Sequence, residues 1–384
     1  MEYAEAVRGR HIGASKKMKT KILDEFVAAT GLHRKAAIRL LNRVSSPVGR
    51  KRRGRPRLYD LEVMVALKVV WEATDRLCSR RLSPFLPELV TILKAKGELS
   101  VTEETRAQLC RMSASTIDRI SRRWRQGRPR RGLGTTKPGT LLKNAIPIRT
   151  FSEWEDARPG FIEADLVAHC GDSVDGFYLT TLSTVDVATG WCEPVAVWGK
   201  GQERVGGAVH HMRERLPMPM LGLDSDNGSE FINQALYDYC RRWGITFTRG
   251  RSYKKNDSCH VEQKNWSVVR RVIGYERFSS KVAFKTLGDV YTLLRLYINF
   301  FQPVLKLVGK KRRGAKVYKV YDTAQTPYRR LLRSGVLTEE KRRELASIYG
   351  ALNPVTLLKQ IRQTVEFLWT LAERDSHDHQ KADI

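Results

Sequence analysis

Apolar residues near the start of the chain recur at helical spacing, with one break at Thr30-Gly31. The members of this face are Ile22, Phe26, Leu32, Ile38 and Leu41. A helix, a tight glycine turn and a second helix at about residues 33–43 is the layout of a helix-turn-helix. The pattern therefore predicts a DNA-binding unit, and an ordinary helical hairpin with a solvated basic face is the alternative.

A similar arrangement recurs in "TEETRAQLCRMSASTIDRISRRWR", where Ser113 or Ser115 is placed to cap a helix. The apolar helical stretch between the two units, residues 58–82, predicts protein core. The cations that both units would present to DNA are Arg34, Lys35, Arg39, Arg119, Arg122 and Arg123.

The middle of the chain alternates between strand and helix patterns. Residues 159–171 predict a mostly buried strand, and residues 176–198 predict two antiparallel strands with a turn at Thr189-Gly190. The pattern then predicts a helix, a short strand, a helix, a strand and a last helix at about residues 260–273. This is the element order of the ribonuclease H-like fold. Spacing in the last helix places Trp266 on a packed face.

The last hundred residues begin with an apolar helical stretch that should pack on the core. The segment "GKKRRGAKVYKVYDTAQTPYRRLL" predicts a short basic hairpin that contacts phosphate or bridges protomers, or else a solvated basic loop. Two amphipathic helices follow, with Thr338 and Asn353 as caps, and they are candidates for pairing with another subunit.

Charge is distributed unevenly along the chain. Of the net +28, residues 1–150 contribute +21, residues 151–280 contribute −3 and residues 281–384 contribute +10. A balance this basic argues against an enzyme of small neutral metabolites and indicates a polyanionic partner. The acidic middle would repel phosphate unless metal ions lay between them.

Two stretches in the basic first part resemble the minor-groove AT-hook. One contains Arg53 and Arg55 within "RKRRGRPRLY", and the other is "RQGRPRRGLG". A flexible basic linker is an equal alternative for both. Residues 126–150 are expected to form a linker in either case.

The six cysteines are scattered without a C-x-x-C pair, which argues against a zinc ribbon and against a dense disulfide framework. The chain has neither a signal-peptide pattern nor a run of eighteen apolar residues. We therefore expect a cytoplasmic, nucleoid-associated protein of bacterial type with no membrane contact.

Three carboxylates stand out in the predicted middle elements: Asp165 on the first strand, Asp226 at the end of the fourth, and Glu262 at the start of the last helix. Thirty-five residues separate Asp226 from Glu262. Strand alternation does not distinguish Asp165 from Glu163, or Asp226 from Asp224, because each pair would share a face.

With this order and spacing, "SDNGSEF" and "NDSCHVEQKN" resemble the DDE transposase and retroviral integrase superfamily, closest to insertion-sequence transposases with an integrase-type core. The resemblance covers about residues 151–280 and implies that Asp165, Asp226 and Glu262 are the catalytic and metal-binding acids. Many relatives have Pro and Gly before the third acid, whereas this chain has "RSYKKNDSC".

The resemblance implies two Mg²⁺ or Mn²⁺ ions per active site, with water as the first nucleophile and the freed 3′-OH as the second. Two such ions about 3.5 to 4 Å apart can activate the nucleophile and neutralise the leaving oxygen, and hard cations prefer oxygen ligands. Five cations near the acids are candidates for phosphate contacts, or else for solvated surface: Lys254, Lys255, Lys264, Arg270 and Arg271.

We therefore predict an α/β protein with a ribonuclease H-like catalytic core, a mixed sheet with helices, flanked by an all-helical helix-turn-helix region and a small basic C-terminal region. The regions are a helical DNA-binding part (1–125), a basic linker (126–150), the catalytic core (151–280) and a basic DNA-binding or assembly part (281–384).

The predicted function is a DNA transposase that cleaves element ends and joins the 3′-OH ends to target DNA, acting as a homodimer or higher oligomer on double-stranded DNA. A DNA-binding repressor with an inert core, and a ribonuclease H-like nuclease without strand transfer, are the alternatives.

Overall fold

The structure is a computed structural model that describes residues 2–42, 58–125, 158–250 and 259–373. It separates into two compact units, Met1–Leu58 and Tyr59–Ile384. The AT-hook-like residues Arg53 and Arg55 and the linker at 126–150 lie outside the described residues.

The described part of the first unit consists of helices α1 (Glu2–Gly13), α2 (Lys16–Thr30) and α3 (Arg34–Leu41). Gly31 ends α2 in the left-handed region, with φ of 67°, where a side chain would be strained. Phe26, Ala37 and Leu41 form the centre of its small core. The two helices and the glycine turn are therefore present as predicted, while their DNA-binding role stays a prediction. The sequence pattern did not predict α1.

The second unit contains a five-stranded mixed sheet in the order β3-β2-β1-β4-β5. Strand β1 lies antiparallel to β2 and parallel to β4. The strands are β1 (Phe161–His169), β2 (Leu179–Asp186), β3 (Val195–Val197), β4 (Gly222–Ser225) and β5 (Thr246–Arg249). The predicted order of three strands, helix, strand, helix, strand and helix is confirmed.

Helices connect and cover these strands: α8 (Gln202–Arg215), α9 (Gln234–Arg242), α10 (Cys259–Lys264), α11 (Arg271–Ile273) and α12 (Lys281–Phe301). Since β2 is buried along its whole length, the sheet is covered on both sides there. The short strand β4 ends at Ser225, one residue before Asp226.

Four helices that precede the sheet in sequence share its hydrophobic core: α4 (Leu61–Ala73), α5 (Ser79–Ala95), α6 (Glu103–Cys110) and α7 (Ala114–Ser121). The hydroxyl of Tyr297 on α12 donates to the carbonyl of Ala73 at 2.9 Å, and Arg329 pairs with Glu88 at 2.8 Å. The structure thus joins α4 to α7 with the sheet, whereas the functional bounds of the predicted regions stay a prediction.

The C-terminal part continues from α12 into the strands β6 (Leu307–Arg313) and β7 (Lys316–Tyr321) and the helices α13 (Pro327–Arg333), α14 (Glu339–Ala351) and α15 (Pro354–Thr370). The predicted caps are confirmed, since Thr338 accepts the N–H of Lys341 and Asn353 accepts that of Val355.

The apolar face of α15 is buried within its own chain, where it packs on α12 and α4. Our expectation that this face pairs with another subunit is therefore wrong, because Leu357, Ile361 and Leu368 already belong to the core. Amphipathicity showed that the helix has a buried face without showing what covers it. Among the described residues, no helix is both long and apolar enough to span a membrane.

Candidate active site

Asp165 and Asp226 come from neighbouring parallel strands. Ala164 of β1 is in register with Ser225, the last residue of β4, so the next residue on each strand is one of these two acids. Both side chains are half-buried. The N–H of Leu166 donates to one oxygen of Asp165 at 2.8 Å, and the N–H of Gly228 donates to Asp226 at 2.9 Å. The sheet register therefore brings the two carboxylates side by side where β4 ends.

Helix α10 docks on β1 through its first turn. The N–H of Val261 donates to an oxygen of Glu163 at 2.7 Å, and Val261 itself is buried. A carboxylate at a helix N-terminus satisfies a backbone donor that has no partner within the helix. This contact fixes the start of α10, and the next residue is Glu262, which is exposed.

The three predicted acids influence one another electrostatically. Burial and, to a smaller extent, the negative charges of Asp226 and Glu262 together raise the pKa of Asp165 to about 7. Burial also raises the pKa of Asp226. Burial and like charges disfavour the charged form of an acid, and a nearby cation stabilises that form. Asp165, Asp226 and Glu262 thus form one interacting group.

The neighbouring acids lie deeper in the fold. Glu163 and Asp224 are in register on β1 and β4 and are 1% and 2% exposed. Thr248 of β5 donates to Asp224 at 2.5 Å. Burial raises the pKa of Glu163 to about 8. Strand alternation could not distinguish Glu163 from Asp165 or Asp224 from Asp226. The structure distinguishes them by burial, because Asp165 and Asp226 are only half-buried and reach the surface.

A π-helical turn, Asn265–Arg270, interrupts the predicted last helix. The turn alters the helical phase, so Trp266 is 50% exposed and the expectation that it packs in the core is wrong. Asn265 instead donates its side-chain amide to Asp165 at 2.5 Å. Sequence reasoning missed this contact since a spacing of 3.6 residues assumes an unbroken α-helix.

A comparison with curated proteins finds one relative that matches over most of its length. The uncharacterized protein y4rM of Sinorhizobium fredii (strain NBRC 101917 / NGR234) is 42% identical over 334 residues, which cover 86% of this chain and 94% of that protein. The chain belongs to the y4rM family. An alignment of 334 residues is longer than the predicted core at 151–280, so the shared sequence of the y4rM family extends into its flanks. No protein-family model matches the chain.

Among solved structures, the neighbours of this y4rM-family chain are retroviral integrase catalytic cores. The BIV integrase core is 20% identical, with a TM-score of 0.31, covering 46% of this chain and 95% of that one. The HTLV-2 integrase core in complex with magnesium is 14% identical, with a TM-score of 0.29, covering 38% and 91%.

The three acids of the y4rM-family chain have the oxygen donors of a metal site, but they are not arranged as a complete one. Within the described ranges, no three His, Cys, Asp or Glu side chains stand close enough to form a complete metal cluster. The donors nevertheless suit a hard divalent cation, since all three acids offer oxygen and the like charges around Asp165 are the kind that such a cation neutralises. Glu262, being exposed, would have to join the two strand acids.

The structure leaves the predicted helix-turn-helix cations on the surface of the y4rM-family chain. Arg34, Lys35 and Arg39 of α3 are exposed, with Arg34 paired to Asp24. Exposed too are Arg119, Arg122 and Arg123 at the end of α7 and in the turn that follows it. Their contact with DNA stays a prediction.

Of the five cations predicted to contact phosphate near the acids, the three that the structure describes differ in their partners and in their burial. Arg271 pairs with Asp75 at 2.6 Å, and Arg270 lies over the ring of Tyr275 at 4.9 Å, so both have partners within the chain. Lys264 approaches the thiol of Cys192 and is half-buried. Their roles in binding DNA also stay predictions. Lys254 and Lys255 lie outside the described residues.

Proposed function

We propose that the protein is a Mg²⁺-dependent DDE-type DNA transposase, which cuts the ends of a mobile element and joins them to target DNA. The observation that carries this proposal is the register of β1 and β4, which sets Asp165 beside Asp226, with Glu262 of α10 close enough for its charge to raise the pKa of Asp165. The net charge of +28 supports a nucleic-acid substrate.

Asp165, in the middle of β1, and Asp226, just after β4, would hold metal between them, and Glu262 would complete the set from α10. When bound, two Mg²⁺ ions would supply charge neutralisation at the attacking and leaving oxygens of the phosphodiester. The chain's own contribution is positioning: Glu163 holds the first turn of α10, and Asn265 fixes one oxygen of Asp165.

Water would attack first and leave a 3′-OH at the element end, and that 3′-OH would then attack target DNA. Joining two ends requires two sets of three acids, whereas one chain has one set. We therefore propose at least a dimer on paired DNA ends, with double-stranded DNA as the partner.

The test uses the full-length protein, duplexes carrying the DNA on either side of its coding sequence, and a supercoiled plasmid as target. With Mg²⁺ or Mn²⁺ we expect nicked ends and joined products; Ca²⁺ should support binding alone. Asp165→Asn, Asp226→Asn and Glu262→Gln should each reduce cleavage and joining on the order of 10³-fold or more, while binding to the duplex persists.

Asp172→Asn is the matched control, because Asp172 is an exposed acid in the loop after β1 and should retain activity. Cleavage without joining would favour a nuclease, and binding without either reaction would favour a repressor with an inert core. A triad variant that keeps substantial single-turnover cleavage would remove that residue from the set.

A further inference from the structure

The strands β6 and β7 form a two-stranded sheet of their own, joined by a turn at Gly314-Ala315. We call residues 307–321 the basic ribbon. It contains six Lys or Arg residues and no Asp or Glu, and nearly all of its residues are exposed. Two-stranded ribbons without a packed face are marginally stable in water. Burial of apolar surface therefore does not explain this element.

The register of the basic ribbon divides its charge between both faces. Opposed residues of an antiparallel pair share a face, and successive residues alternate. One face carries Lys310, Arg312 and Lys319, and the other carries Lys311, Arg313 and Lys316. Each face thus holds three cations.

Like charges stand directly opposite each other within the basic ribbon. Lys310 is in register with Lys319, and Arg313 is in register with Lys316. Such pairs destabilise an isolated ribbon, and an anion close to each pair removes the repulsion. Since each face carries three cations, a ligand that neutralises both faces must present negative charge on two sides.

The base of the basic ribbon is fixed beside the candidate active site. The N–H of Lys306 donates to Asp322 at 2.8 Å, and Asp322 pairs with Arg330 at 2.7 Å. The ammonium group of Lys306 interacts electrostatically with Asp186 at the end of β2, and more weakly with Lys264 of α10 and Glu163 of β1. The ribbon therefore begins near β1 and α10, the elements that carry Asp165 and Glu262.

We propose that the basic ribbon enters the major groove of the DNA bound at the candidate active site, where its two faces meet phosphates of the two groove walls. The proposal rests on the proposed function for the identity of that DNA. The major groove is about 12 Å wide and admits a two-stranded ribbon. Seven residues of strand span about 20 Å, enough to cross it. A flat anionic surface such as a membrane would contact one face alone.

The test compares three matched double variants of the full-length protein, each losing two positive charges. Lys310→Gln with Lys319→Gln neutralises one face, Lys311→Gln with Lys316→Gln neutralises the other, and Lys341→Gln with Lys359→Gln, on α14 and α15, is the control. Binding to a mixed-sequence 30-base-pair duplex is measured by fluorescence anisotropy across a KCl series, without divalent metal. Unchanged melting temperatures show that each variant folds.

Each phosphate contact contributes about 0.9 to the slope of log Kd against log salt. We expect both face variants to lower that slope by about 1 to 2, and the control to change it by less than about 0.5. Guanine N7 lies in the major groove, so the wild type should protect it from methylation, and both face variants should lose that protection.

An effect of one face variant alone, or of neither, would overturn the proposal, as would methylation protection that all variants retain. Equal loss of binding to anionic lipid vesicles with an unchanged DNA slope would assign the ribbon to a membrane instead. These readouts do not require catalysis. A wild type that never cuts DNA, while both face variants lower the slope, would therefore defeat the proposed function and leave standing only the insertion of the ribbon into a major groove.

Discussion

At the scale of single residues, depth decides what each acid does. Glu163 and Asp165 lie two positions apart on β1, yet Glu163 is buried against the first turn of α10 while Asp165 reaches the surface. Burial raises the pKa of both, but only Asp165, which is half-buried, is accessible to a metal ion and DNA. We therefore assign Glu163 to positioning and Asp165 to chemistry.

Glu163→Gln should fold and keep most of its activity, because the amide oxygen can still accept the N–H of Val261. Glu163→Leu should lose cleavage by about 10- to 100-fold, since the start of α10 loses its acceptor. Normal binding of end DNA by both variants is the internal control. Equal activity of the Gln and Leu variants would show that the contact does not position Glu262.

The same pair gives a pH dependence whose sign is fixed. The pKa of Glu163 is about 8 in the folded state and about 4.5 when the chain is unfolded, so the folded state favours the protonated side chain. The stability that this preference contributes is complete below pH 4.5 and is lost as pH rises through 8. Between pH 5 and pH 8 in metal-free buffer, the wild type should lose about 3 kcal/mol of unfolding free energy relative to Glu163→Gln. Urea unfolding at each pH measures this difference, and parallel curves for the two proteins would contradict it.

At the scale of elements, the π-helical turn Asn265–Arg270 links the last helix to the first strand. It moves Trp266 outward and brings the amide of Asn265 to Asp165. The amide donor lowers the pKa of Asp165 against the larger effect of burial. The turn therefore favours the charged form of Asp165, which is the form that binds a metal ion.

Asn265→Ala should reduce metal-dependent cleavage by about 10- to 100-fold, the usual effect of removing a group that orients a metal ligand. Removing the donor raises the pKa of Asp165, so the acidic limb of the activity profile should move to higher pH. Gln263→Ala, an exposed neighbour on α10, is the matched control. An unshifted pH profile would mean that Asn265 does not act through Asp165.

At the scale of the whole molecule, the helices α4 to α7 belong to the folding unit of the sheet. They bury large residues such as Leu67, Leu82 and Leu89 in the core shared with α12 and α15. Each such side chain contributes about 1.5–3 kcal/mol, while a whole domain is stable by about 5–15 kcal/mol. The free energy of burial lost with these helices would therefore exceed the whole stability of the unit.

Deletion of residues 1–58 should leave the cooperative unfolding of the remainder nearly unchanged, whereas deletion of residues 1–125 should yield an unfolded or aggregated chain. Near-ultraviolet circular dichroism and thermal melts distinguish the two outcomes. A folded product of the longer deletion would show that the sheet and the C-terminal helices are sufficient without α4 to α7.

Assembly can be tested with the shorter deletion. If one subunit binds an end that its partner cuts, mixing Asp226→Asn with the chain lacking residues 1–58 should restore some joining, although each alone is inactive. Absence of complementation together with a monomeric mass for the active DNA complex would defeat the dimer. Absence in a confirmed dimer would instead show that each subunit cuts the end it binds.

The sequence by itself determined the order of the elements in the sheet region, the glycine turn at Gly31 and the helix caps at Thr338 and Asn353. These features follow from side-chain period and from hydrogen bonds between residues two or three apart, which are local. It also singled out Asp165, Asp226 and Glu262, through their place in that order and a family resemblance.

The tertiary structure alone decided which surfaces meet. An apolar helical face has the same pattern whether a sheet, a neighbouring helix or another subunit covers it. The sequence therefore predicted that α4 lies in a core, but not that α4 to α7 pack beside the sheet or that α15 packs on α12. Strand alternation shows which face of the sheet a side chain lies on but not how deeply it is buried. Burial is what distinguished Glu163 from Asp165. The π-helical turn that brings Asn265 to Asp165 breaks the periodicity of 3.6 residues that sequence reading assumes, because its hydrogen bonds join residues five apart rather than four.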